Sequence, residues 1–244
     1  MLFRSGFKGV EHGDPYAWKA KDVGRWLKDN GLTMVQILTP QDWAAGELGL
    51  TTLPGREADF RDAVKRGIDY AGEIGCALLH PAIGGTPKGE PREKTWARVV
   101  QNLAYACDEA AKANLTMPIE PVCSARFPEF FIHTLDEGIA LIREVGRGNL
   151  KLCFDTYHVQ MEEGAISANL DRVWPWVGHL QLGNPPGRNE PGVGELNLQH
   201  YFDMVDAKGW QGWIGCEYTP SGHTLDSLAW GARYGIARPA GEAT

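Results

Sequence analysis

The stretch Glu144-Val-Gly-Arg-Gly-Asn-Leu-Lys-Leu-Cys-Phe-Asp-Thr-Tyr-His158 decides the fold. An amphipathic segment runs into Gly146, and a short apolar run, Leu150 to Phe154, follows and ends at Asp155. Glycine is favoured just past a helix because it enters the left-handed region at little cost. An apolar run of that length reads as a buried strand. The stretch therefore spells helix, short loop, strand.

The same phrase recurs in both directions along the chain. It appears as DNG-LTMVQIL (29–38), EIG-CALLHPAIG (73–84), KAN-LTMPIEP (112–121) and AKG-WQGWIGCEY (207–218). Between these runs, apolar residues fall at helical spacing. Phe60, Val64, Ile68 and Ala71 mark a helix from Pro54, taken as its first position, to Gly75. Trp96, Val99, Val100 and Leu103 mark another from Pro91 to Asn114, and Leu198, Phe202 and Val205 a third. Thr134 to Glu137 is a capping-box pattern ahead of Ile139 and Ile142. The strands are expected to end near Glu11, Ile37, His80, Glu120, Asp155, Gln181 and Glu217. Glu11 to Glu217 spans 206 residues in six units, about 34 each. A (β/α)8 barrel of ~250 residues has about 31 per unit. A doubly wound open sheet fits less well, because no GxGxxG turn follows the first strand. The expected fold is thus a (β/α)8-type barrel forming a single domain over 1–244, with seven strands legible where eight are usual. A seam left open there would expose two strand edges, so a homo-oligomer is a further expectation.

Composition narrows the function. Of 244 residues, 43% are hydrophobic and 23% charged, with a net charge of −7. A nucleic-acid binder would show a basic stripe, so nucleic acid is not an expected partner. No run of ~18 apolar residues exists, so no membrane span is expected. MLFRSGFKGVEHGD lacks the apolar core of a signal peptide, which makes a cytoplasmic location the expectation. Five cysteines, an odd number with no CxxC pair, argue for reduced, mostly buried thiols.

Active sites of such barrels lie at the C-terminal strand ends. Four consecutive ends carry an oxygen-bearing side chain: Glu120 in PIEP, Asp155 in CFDTYH, Gln181 in GHLQLGN and Glu217 in GCEY. Three converging carboxylates repel one another unless a cation joins them. An all-oxygen set favours Mg2+ or Mn2+ over zinc. Such a cation polarises a carbonyl and its neighbouring hydroxyl, and a carboxylate on each side can then move a proton between adjacent carbons. Glu120 and Glu217, on strands flanking the metal, suit that pair. Arg188, in a Gly- and Pro-rich loop, is placed to bind a substrate carboxylate, and His158, on the loop after its strand, a substrate oxygen. His80 is expected to line the pocket, with Trp43 as its cover and His179 deeper behind Gln181. A metal-dependent endonuclease would need more histidines at strand ends than the seven in this chain supply. A non-catalytic barrel rests only on the unread eighth strand.

At these residues the chain resembles the hydroxypyruvate isomerase family, within the xylose isomerase-like TIM barrels. The matching stretches are GFKGVE (6–11), QDWAAGELGL (41–50), LPGREADFRD (53–62), IEP (119–121), FDTYHVQ (154–160), GHLQ (178–181), GRNEPGVGE (187–195) and GWIGCEY (212–218). The resemblance implies reversible conversion of hydroxypyruvate to tartronate semialdehyde, a small anionic hydroxy-oxo acid as the binding partner, and a divalent metal on Glu120, Asp155, Gln181 and Glu217. It makes Glu120 and Glu217 the proton-transferring pair and His158 and Arg188 substrate contacts. A 2-oxo-tetronate isomerase or a ketose 3-epimerase is the neighbouring alternative. Family members carry a further strand and most of a helix ahead of GFKGVE, so the barrel is expected to lack its first strand and part of its first helix. Cys123, in EPVCSARF, stands where the family pattern resembles EPIN.

Overall fold

A computed structural model describes residues 5–236. Seven strands lie among them: β1 (Gly9–His12), β2 (Thr33–Leu38), β3 (Leu78–His80), β4 (Met117–Ile119), β5 (Leu150–Asp155), β6 (Val177–Leu182) and β7 (Ile214–Cys216). All pairings are parallel and sequential, β1-β2-β3 and β4-β5-β6-β7. A bridge between Leu78 and Thr116, with Leu79 N–H donating to Thr116 O at 3.0 Å, joins the two sheets. Each strand ends within two residues of the expected position. Among the described residues β1 pairs only with β2, and β7 only with β6. The curved sheet therefore has a seam between β7 and β1.

The helices are α1 (Ala20–Asp29), α2 (Glu57–Ile74), α3 (Arg92–Lys112), α4 (Leu135–Val145), α5 (Thr156–Glu162), α6 (Ile166–Val173) and α7 (Leu198–Ala207). Thr134 closes the expected capping box with Glu137 at the start of α4. Gly75 and Gly146 end α2 and α4 in the left-handed region, as their place after each amphipathic segment predicts. Two readings change. The helix expected from Pro54 begins at Glu57, because Gly55 turns the chain at φ 74° first. His158, expected on a loop, lies in the first turn of α5, because the Asp155 carboxylate accepts the Tyr157 N–H and starts a helix at once.

Strand residues alternate between two environments. Ile37, Leu79, Phe154 and Leu180 join helix residues such as Val64, Leu103 and Leu141 in one buried apolar cluster. Of the intervening positions, Gln36, Asp155, His179 and Gln181 are buried but polar. The interior at the strand ends is therefore a hydrogen-bonding surface, and it forms the site.

Candidate active site

A cavity of about 470 Å³ opens at the C-terminal ends of the strands. Glu120, Gln181, Arg188 and Glu217 line it, together with Gln36 and His80. Glu120 follows β4 directly, and its Oε1 is buried with no hydrogen-bond partner. Burial, then the charges of Glu217 and Asp155, push its carboxyl well above the usual range. Asp155 ends β5 at 1% exposure. Its Oδ1 caps α5 and its Oδ2 accepts from Arg188 Nη2 at 2.7 Å. Glu217 follows β7, and its Oε1 lies 2.8 Å from the same Arg188 nitrogen. Burial pushes Glu217 up to about 7 against the opposing pull of Arg188.

Arg188 thus clasps two of the three carboxylates. Its Nε also donates to Glu217 O at 3.0 Å, and its guanidinium sits 5.1 Å from the Tyr157 ring centroid. The loop that carries it is tied to the β7 exit: Thr219 N–H donates to Arg188 O at 2.7 Å, and Ser221 donates to the buried Glu190 carboxylate through both its N–H and its hydroxyl.

His158 Nε2 lies 3.8 Å from Glu120 Oε1 and 3.9 Å from Asp155 Oδ2. The ligand atoms of Glu120, Asp155 and His158 fall within 4.8 Å of one another, a group able to hold a metal ion by distance. The tautomer assigns the histidine a different part. Cys123 N–H donates to His158 Nδ1 at 3.2 Å, so a neutral ring carries its proton on Nε2. Burial, the largest influence, lowers its pKa to about 4, which keeps the ring neutral. Nε2–H is then a donor facing the carboxylates rather than a lone pair for a metal.

Gln181 stands beside Asp155 in the β5–β6 register. Its Nε2 donates to Glu11 Oε2 at 2.8 Å, and its Oε1 accepts from the Cys153 thiol at 3.1 Å. His179 Nε2 meets the other oxygen of Glu11 at 2.6 Å. Glu11, at the end of β1, therefore anchors both polar residues of β6. His80 is 7% exposed with Nε2 unpaired. Trp43 also lines the cavity, from a half-exposed position. Glu11 and Gln36 were not singled out from sequence. Glu11 had the same signal as the others, an acid at a strand tip. Gln36 had a weaker one, a lone amide inside the apolar run LTMVQIL.

The model of the xylose isomerase-like TIM barrel family matches residues 2–234. The chain belongs to that family. The chain is 43% identical over 226 residues to the 2-oxo-tetronate isomerase of Cupriavidus necator, covering 92% of this chain and 87% of that one. It is 37% identical to the hydroxypyruvate isomerase of Escherichia coli, covering 92% and 88%. A crystal structure of an AP endonuclease, family 2, from Brucella melitensis superposes at a TM-score of 0.92 and 36% identity, covering 96% and 90%. With these isomerases as relatives over nearly its whole length, the chain is an isomerase.

Proposed function

We propose that the chain interconverts hydroxypyruvate and tartronate semialdehyde, or a close homologue of that pair, by moving a proton between adjacent carbons. The observation that carries this reading is Arg188 joining Asp155 and Glu217 at the strand ends, where Glu120, Arg188 and Glu217 line one cavity. One guanidinium pairs with Asp155 and Glu217, and the buried, unpaired Glu120 Oε1 beside them leaves the set short of positive charge. Hard oxygen donors short of a cation fit Mg2+ or Mn2+, held by Glu120, Asp155, Glu217 and the Gln181 amide oxygen. When bound, the cation polarises the substrate's carbonyl and neighbouring hydroxyl and stabilises the charge of an enediolate.

The chain's own residues do the rest. One of Glu120 and Glu217 takes the proton from C3, the other returns a proton to C2, and the proton of the C3 hydroxyl passes to the C2 oxygen. Burial suits both to this work, since a carboxylate whose proton affinity is raised is a stronger base. His158 Nε2–H donates to a substrate oxygen, with its ring fixed by Cys123. Arg188 donates to the substrate carboxylate through Nη1, since Nε and Nη2 already bond Glu217 and Asp155. Glu11 holds Gln181 by its NH2, which directs the amide oxygen away from Glu11. The endonuclease named for the Brucella structure would call for further histidine ligands. In this cavity the histidine nearest the carboxylates is already committed to Cys123 through Nδ1.

Assays with Mg2+ or Mn2+ and with chelator test the reading. Activity on hydroxypyruvate or a 2-oxo-tetronate is expected with metal and lost without it. Glu120→Gln and Glu217→Gln are each expected to lower kcat by about 10²-fold or more. Near-full activity in either variant contradicts the two-base assignment.

A further inference from the structure

Two arginines line the cavity, and the fold engages only one of them. Arg188 is committed to the protein: its Nη2 bonds Asp155 and Glu217, and its Nε bonds Glu217 O. Both forks of a guanidinium include this Nη2, so Arg188 keeps Nη1 for a ligand but no fork. Arg126 is the other. It lies on the turn that follows β4 and Glu120. Cys123 O accepts the N–H groups of Arg126 at 3.0 Å and Phe127 at 3.2 Å, and Cys123 N–H is itself bonded to His158 Nδ1, which ties the turn to the site. The Arg126 side chain is exposed. Its guanidinium lies 5.3 Å from the centroid of the Phe127 ring, which lines the same cavity. Among the described residues that guanidinium forms no ion pair and no hydrogen bond. Burial lowers the pKa of His158 most, and against Asp155 the charges of Arg188 and Arg126 lower it further. Both cations therefore act on the ring that faces the carboxylates.

The geometry points to Arg126 as the residue that grips the substrate's carboxylate from the exposed side of the cavity and so selects acids over uncharged analogues, while Arg188 reaches the same group through Nη1. The inference rests on the isomerase reading for the carboxylate and adds the residue that recognises it. Glu11, Glu120 and Glu217 line the cavity, and the described lining residues include no arginine or lysine besides these two. An acid met by one Nη1–H alone would enter beside those glutamates with little to offset its charge. Arg126 keeps all five N–H groups, including a fork that matches both carboxylate oxygens. The Phe127 ring supports the planar group, so less freedom is lost when it closes on the anion. The carboxylate keeps its charge while the proton moves between C3 and C2. Its bond to Arg126 is thus equal in substrate and transition state, and it acts on KM rather than kcat.

An unreactive acid and its uncharged amide test this apart from catalysis. Mn2+-loaded protein is titrated calorimetrically with glycerate and with glyceramide, and the same samples are assayed for turnover. Arg126→Gln is expected to weaken glycerate binding roughly tenfold or more and to leave glyceramide binding within about twofold. KM for the acid rises by the same factor, with kcat changed far less. Arg126→Lys, a point charge without the fork, recovers part of the loss. The side chain is exposed and bonds no other residue, so thermal melts of both variants are expected to match wild type. Glycerate affinity unmoved in Arg126→Gln, or an equal loss for glyceramide, overturns the assignment. Glycerate binding that depends on Arg126 in a protein turning over neither hydroxypyruvate nor a 2-oxo-tetronate contradicts the isomerase reading and leaves the anion contact standing. Turnover with a KM that Arg126→Gln does not move does the reverse.

Discussion

Two glutamates with raised proton affinity face one arginine at the centre of the cavity, and this arrangement has a consequence for cation binding. Glu217, pushed up to about 7, and Glu120, pushed well above the carboxylate range, retain protons at mildly acid pH. A divalent cation binds the ionised forms, so loading must expel those protons. Mn2+ affinity is therefore expected to rise as pH is taken from 5.5 to 7.5, with proton release that titrates in buffers of different ionisation enthalpy. A pH-independent affinity with no release contradicts the placement of these two side chains. At this scale the sequence marked most of the polar residues of the candidate site. Glu120, Asp155, Gln181 and Glu217 are polar tips on apolar strands, a pattern that packing alone does not require. It did not disclose that Arg188 would hold Asp155 and Glu217 together, nor that Cys123 would set the His158 tautomer. Those contacts join residues 33 and 35 positions apart and depend on how two loops fold over the strand ends.

Elements were legible wherever periodicity ran long enough to show. α2 and α3 have two or more turns of apolar residues at helical spacing, and their spans follow from it. α5 does not. Its seven residues are too few for a period, and it exists because Asp155 caps it. A single residue thus serves as helix cap with one oxygen and site carboxylate with the other. A second polar clamp fixes α3. Arg98, 9% exposed, donates to Thr52 O at 2.7 Å and pairs with both Glu90 oxygens at 2.7 Å. Hydrogen bonds from Arg98 and then Thr95 hold Glu90 down at about 2. A carboxyl depressed in the fold stabilises it above the ordinary carboxylate pKa, and that stability is lost as pH falls toward the folded value. The contribution is thus present from about pH 4.5 upward and disappears between there and about 2. Denaturant midpoints of Glu90→Gln should lie below wild type at pH 7 and converge with it near pH 2. A constant difference across that range contradicts the pairing.

Across the whole molecule, polar residues of the interior span the seam between β7 and β1, where the described residues form no ladder. Glu11 reaches from β1 to His179 and Gln181 on β6, and its carboxylate lies against Gly215 of β7. A Cβ at Gly215 would sit 2.6 Å from Glu11 Oε1 and 2.9 Å from Gln181 Cγ. Gly215→Ala is therefore expected to displace both side chains, lowering Mn2+ affinity by about tenfold or more along with a small loss of thermal stability. Unchanged Mn2+ affinity would show that Glu11 does not position Gln181 for the cation. Strand order and the site's location followed from the repeated helix–loop–strand phrase. The seam did not reveal how it is lined, because Glu11 meets residues 168 and 170 positions away, a separation no local pattern encodes.

The most direct measurement is proton NMR of the Mg2+-loaded protein with hydroxypyruvate and with a 2-oxo-tetronate in D2O. The expected result is protein-dependent deuterium incorporation at C3 of at least one acid as its isomer forms, stopped by chelator and by Glu120→Gln. Substrates that stay fully protonated at carbon before a folded, metal-loaded sample would contradict the account.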